Sequence, residues 1–145
     1  MENTLSEFNT KFRTKKLLIV SNDSWNWSLR PAQATLGTSI LSLKRYALHF
    51  SDITETEAQD LQKMIKTIES TMKNAFDYNI MNYLMLMMVD HHVHYHVIPR
   101  YDNKRECANL SWQDTGWPAL PDIIGNQHTD TNCLSKIQEK LKANL

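Results

Sequence analysis

The chain has 145 residues and a mass of 16.9 kDa, with 41% hydrophobic and 22% charged residues. That is enough for one folded domain with its own core, and it excludes a disordered or low-complexity chain. Sixteen basic residues balance sixteen acidic ones, so the basic surplus of a duplex nucleic-acid binder is absent. Cys107 and Cys133 form no CxxC pair, which argues against a disulfide scaffold and suits a reducing compartment. Residues 1–16 hold no signal-like apolar run, and Tyr83 to Val89, the longest apolar stretch, is too short to span a bilayer. The expected location is the cytoplasm.

Leu5, Phe8 and Phe12 recur at helical spacing and predict a short first helix packed on the body. Lys16 to Val20 reads as a strand, SNDS as a turn, and Trp25 to Leu29 as a second strand of alternating aromatic and polar residues. Arg30 and Pro31 end it. Gly37 precedes a third strand, Thr38 to Leu43. A long helix is predicted from Thr54 to Phe76. Thr54 and Glu57 have capping-box spacing, and Leu61, Met64, Ile65, Ile68, Met72, Ala75 and Phe76 form one apolar stripe.

Ile80 to Val89 is an apolar run interrupted only by Asn82 and reads as a strand buried on both faces, with a buried helix as the alternative. His92 to Ile98 alternates histidine with Val or Tyr, and Pro99 closes it. The chain is then loop-rich through Gly125, with Trp112 and Trp117 packed in loops. A last helix covers Thr131 to Leu145, with Leu134, Ile137 and Leu141 on one face.

The chemistry sits in Asp90-His91-His92-Val93-His94-Tyr95-His96-Val97-Ile98-Pro99-Arg100. Side chains alternate across a strand, so His92, His94 and His96 share one face, roughly 6.5 to 7 Å apart at the backbone. Three readings compete: a histidine cluster satisfied within the core, a metal site using imidazoles two residues apart, and nucleophilic catalysis by the central histidine. The third fits phosphorus chemistry. A neutral imidazole attacks phosphorus well if a partner fixes its tautomer, and flanking imidazoles can donate to non-bridging oxygens. His91 falls on the opposite face and reads as structural. Asp90 reads as a polar residue at a strand bend, with orientation of His92 as the alternative. His49 and His128 are assigned no role.

HVHYHVI, residues 92–98, matches the His-φ-His-φ-His-φ-φ signature in which φ is apolar or aromatic. On this motif the chain resembles the histidine triad (HIT) family. Pro99 and Arg100, Gly37 before a hydrophobic strand, the basic pair Lys44 and Arg45, and the capped helix agree in order. The resemblance is strongest over residues 16–101 of a single domain spanning 1–145, leaving 102–145 as a loop-rich tail and C-terminal helix. It looks closest to the fragile-histidine-triad and diadenosine polyphosphate hydrolase branches.

The resemblance implies an α+β fold: an antiparallel sheet of about five strands, one long helix packed on it and a C-terminal helix. It implies a homodimer, and hydrolysis or nucleotidyl transfer at a phosphoanhydride or related bond, with a dinucleoside polyphosphate as the expected substrate. His94 takes the place of the nucleophile that forms a nucleotidyl-histidine intermediate, and His92 and His96 the places of its phosphate-binding neighbours. Trp27, Leu29 and Arg30 fall where the family holds base and ribose. No tightly bound cofactor or metal is implied; Mg²⁺ can accompany a polyphosphate. Met81 to Asp90 lacks the Gly-Gln-Ser or Gly-Gln-Thr element of many members. Asn82 is the candidate polar survivor of that element, and Arg30 and Arg100 are candidates to supply the lost phosphate contacts. The alternatives are a non-catalytic nucleotide-binding module and a metal-binding protein using the same histidines.

Overall fold

The computed structural model describes residues 2–127 and 130–145, without the side chains of Glu2 and Asn3; His128 is thus outside the described residues. Helices α1 (Glu2–Phe12), α2 (Glu55–Phe76) and α3 (Thr131–Ala143) accompany strands β1 (Leu18–Ser21), β2 (Trp25–Leu29), β3 (Ser39–Leu43), β4 (Ile80–Leu84) and β5 (His94–Arg100). These strands form one antiparallel sheet in the order β1-β2-β3-β5-β4. A separate hairpin pairs β6 (Arg105–Cys107) with β7 (Leu110–Trp112).

The long helix begins where its cap lies. The Thr54 hydroxyl accepts from the Glu57 amide, and the Glu57 carboxylate accepts from the Thr54 amide. The apolar stripe of α2 lies against one face of the sheet. Met64, Ile68, Met72 and Phe76 join Trp25, Trp27, Leu29, Leu41, Leu43 and Val97 in the main core, which α3 closes with Leu134, Ile137 and Leu141. The turn before β3 needs glycine: Gly37 has φ +87°, and a Cβ there would meet the Phe76 ring at 3.1 Å.

Three segments differ from the sequence expectation. β4 stops at Leu84 and is an edge strand, exposed or half-buried along its length rather than buried on both faces. Leu86, Met88 and Val89 beyond it are exposed. β5 continues through Pro99, because pairing with β3 has already ended at Val97–Ser39; a residue without an N–H is tolerated where one partner strand has stopped. The loop-rich tail contains the β6–β7 hairpin. Its turn residues Ala108 and Asn109 have φ of 55° and 60°, the signs of a type I′ turn.

Candidate active site

Cross-strand partners share a face of the sheet, so the register decides what surrounds the histidines. Ser42 pairs with His94 and with Asn26; Ile40 pairs with His96 and with Ser28. This face is opposite the α2 core. Its cover is α1, whose Phe8 and Phe12 form with Ile40 an apolar cluster separate from the main core.

The three imidazoles are brought together, with His94 and His96 ring centroids 5.1 Å apart, but the strand begins at His94, so alternation pairs only His94 with His96. His92, just before β5, has both ring nitrogens committed to backbone. Nδ1 accepts from the Ala47 amide at 3.2 Å, so the Nε2 proton is donated to the Leu43 carbonyl at 2.7 Å. Tyr46 stacks on this ring at 5.4 Å. His92 therefore ties the β5 entrance to β3 and fixes the carbonyl beside it. That carbonyl accepts from Nδ1 of His94 at 2.5 Å. The proton is thereby held on Nδ1, and the Nε2 lone pair is left without a hydrogen bond among the described residues.

Burial keeps the imidazoles neutral. Desolvation lowers the pKa of His92 and of His94, against the opposing pull of their backbone acceptors. His96 is pushed down to about 4, by desolvation first and then by the Arg30 guanidinium. His94 is thus an uncharged imidazole with a fixed tautomer, the form that attacks an electrophile.

The face is closed in this conformation. His94 is 1% exposed. The Phe8 ring lies 4.9 Å from its ring and 5.0 Å from that of His92, while Phe12 lies 6.0 Å from His94 and 6.2 Å from His96. Lys11, on the same helix, pairs with Asp90 at 2.7 Å. Asp90 is accordingly engaged with α1 and makes no bond to His92. His91 is exposed, with Nδ1 3.1 Å from the Met87 carbonyl.

The residues expected to hold substrate are dispersed. Trp27 and Leu29 are fully buried in the α2 core, on the face away from the histidines; the Trp27 Nε1–H donates to Ser39 Oγ at 2.8 Å. The expectation fails on parity, because Asn26 and Ser28 are the β2 side chains on the histidine face. Arg30 acts on His96 electrostatically and donates to the Ile123 carbonyl at 3.0 Å. Asn82 and Arg100 hydrogen-bond each other at 2.9 Å. Arg100 is buried and also grips Asp114 through Nε at 2.7 Å and Nη2 at 3.2 Å. It shares the triad's face by alternation but sits four residues beyond His96, about 13 Å along the strand, where Asp114 engages its fork.

Phe8, Phe12, Ser28 and Ser42 are the site neighbours that sequence reasoning passed over. The serines were signalled by the polar positions that alternate with Trp27 and Leu41. Among the described residues no group of three His, Cys, Asp or Glu side chains is placed to hold a metal.

The HIT domain family model matches residues 31–103, just over half of the chain. Similar solved structures include the hypothetical histidine triad nucleotide-binding protein ST2152 from Sulfolobus tokodaii strain 7. It has 16% identity and a TM-score of 0.70, covering 98% of this chain and 90% of the other. The histidine triad protein SMc02904 from Sinorhizobium meliloti 1021 has 17% identity and a TM-score of 0.72, covering 92% and 93%. A zinc-bound histidine triad family protein from Mycobacterium smegmatis has 11% identity and a TM-score of 0.60, covering 88% and 84%. At these identities the likeness is one of fold. No curated protein matches the sequence. The domain match over the triad and the shared sheet-and-helix architecture place this chain in the histidine triad family, whose members are generally nucleotide-binding hydrolases and transferases.

Proposed function

We propose that this protein is a nucleotide hydrolase or nucleotidyl transferase acting on a dinucleoside polyphosphate, in the manner of the fragile-histidine-triad and diadenosine polyphosphate hydrolase branches. The observation that carries the reading is the hydrogen bond from His94 Nδ1 to the His92 carbonyl, which leaves a neutral nitrogen for attack. Nε2 adds to the α-phosphorus and forms an N–P bond as the P–O bond to the leaving group breaks. The departing phosphate chain, carrying the second nucleoside, takes that electron pair and leaves as an anion. Water, or another acceptor, then adds to phosphorus, the N–P bond breaks, and the neutral imidazole is restored. The attacking water's protons pass to the products and solvent.

In this reading His94 is the catalytic residue, His92 positions it through the backbone, and His96 faces the phosphate as a neutral donor. Mg²⁺ enters with the polyphosphate as part of the substrate. The working form is a homodimer. The edge strand β4 and the exposed Ile80, Leu86, Met88 and Val89 support self-association there.

A panel of mono- and dinucleotide substrates assayed with wild type and His94→Ala tests the proposal. Turnover is expected to fall by about a thousandfold or more in the variant. Equal hydrolysis by both proteins removes His94 from the mechanism. The cover formed by α1 favours one second reading, a nucleotide-binding module without turnover. Binding of a labelled nucleotide with neither product nor adduct in a single turnover selects it.

A further inference from the structure

Three buried polar atoms on the histidine face of the sheet have no hydrogen-bond partner among the described residues: Ser28 Oγ, Ser42 Oγ and His96 Nδ1. Ser28 is 0%, Ser42 1% and His96 9% exposed. Buried polar groups in folded proteins are almost always paired, and these three lie on one sheet face, in the two neighbouring rows that carry His94 and His96. Phe12 of α1 packs on the His96 ring at 6.2 Å, and Phe8 and Phe12 cluster with Ile40 in the same row, offering that floor no hydrogen bond. A ligand bearing hydroxyl, amide or phosphate oxygens on that floor is what they lack.

The attachment of α1 is correspondingly slight. Its apolar contribution is Phe8 and Phe12, clustered with Ile40 and outside the main core. Its ion pair is Lys11 to Asp90, with side chains 51% and 22% exposed. The helix then breaks at Arg13, whose φ of 51° turns the chain away toward β1.

We propose that α1 is a displaceable cover over the triad face, latched by the Lys11–Asp90 ion pair, and that it must lift for a ligand to reach His94. The identity of that ligand as a nucleotide rests on the function proposed above; the cover itself does not. In the closed state Phe8 and Phe12 occupy the space over the imidazoles. In the open state the floor of Ser28, Ser42 and His96 is free to bind the polar groups of the incoming molecule. Lys11, released from Asp90, becomes available to an anion.

Diethyl pyrocarbonate, which acylates accessible neutral imidazole nitrogens, reads the cover without any substrate. Peptide mass spectrometry follows each histidine of the full-length protein at pH 7, with exposed His49 and His91 as internal standards. His94 in wild type is expected to label at least about tenfold more slowly than His49, given its burial. Lys11→Glu sets two like charges together and is expected to speed His94 labelling about three- to tenfold. The charge-swapped pair Lys11→Glu with Asp90→Lys is expected to restore protection. Asp90→Asn removes the latch more gently, should the reversal disturb folding.

Equal labelling of His94 and His49 in wild type overturns the cover. Unchanged His94 labelling in both folded latch variants, or failure of the swapped pair to restore protection, overturns the latch. Hydrolysis of a dinucleoside polyphosphate is measured on the same samples. Faster labelling without hydrolysis in any variant leaves the cover standing and removes the proposed chemistry.

Discussion

The chemistry of the site turns on a single proton. His94 Nδ1 must hold it against the His92 carbonyl, and every imidazole on the face is kept uncharged by burial. This has a consequence for stability. His96 has a folded pKa of about 4, set by desolvation first and then by Arg30, with smaller contributions from His94, Asp90 and Lys11. An unfolded histidine titrates near 6.5. Between those values the unfolded chain binds the extra proton, so stability is full above about pH 6.5 and declines as pH falls toward 4. The loss attributable to this residue is about 3 kcal/mol across that window. Urea titrations of wild type and His96→Gln at pH 7.5 and 4.5 check it: the wild-type midpoint is expected to drop more than that of the variant. Equal drops contradict the assignment. At this scale the sequence was informative about the triad: alternation along β5 places His94 and His96 on one face, while His92 precedes the strand and is held by its bonds to Leu43 and Ala47. It marked the serines only as polar positions alternating with Trp27 and Leu41; that they lie beside the triad is set by cross-strand register, a tertiary fact. The family resemblance put Trp27 and Leu29 where base and ribose are held, yet Ser28 and Asn26 carry the parity that faces His94 and His96.

Elements with strong local codes were legible. β2 runs from Trp25 to Leu29 and α2 starts behind Thr54, as their alternation and capping box dictate. The length of β4 was not legible, since an apolar run does not tell an edge strand and its exposed continuation from a buried one. The β6–β7 turn escaped notice because Ala108 is an unusual residue at positive φ. Gly37 is a place where sequence and packing agree. Gly37→Ala forces a side chain into φ +87° and against Phe76 and Met72, and is expected to cost about 1–3 kcal/mol in a urea titration. A variant as stable as wild type contradicts the close approach of α2. The α1 cover is a near-balance of terms. Burying two phenyl rings stabilises by about 3–6 kcal/mol, while three unpaired buried polar groups cost about 1–3 kcal/mol each. Terms of similar size and opposite sign suit an element that opens.

Across the whole molecule, residues 102–145 are built into the frame that holds the triad strand. Asp114 receives Nε and Nη2 of Arg100 and the Tyr101 amide, and Gln138 donates to the Lys16 and Leu18 carbonyls. Asp114→Ala leaves the buried Arg100 charge uncompensated and is expected to destabilise by about 3–5 kcal/mol. Thermal unfolding that barely moves argues that the tail is dispensable. Among the described residues no helix is long and apolar enough to cross a membrane. The most direct test of the central claim is a single turnover with α-³²P-labelled dinucleoside polyphosphate, quenched in alkali, where an N–P bond survives. The account predicts label on the peptide carrying His94, lost on mild acid treatment and absent from His94→Ala. Label on another residue, or product formed at an unchanged rate by His94→Ala, contradicts it.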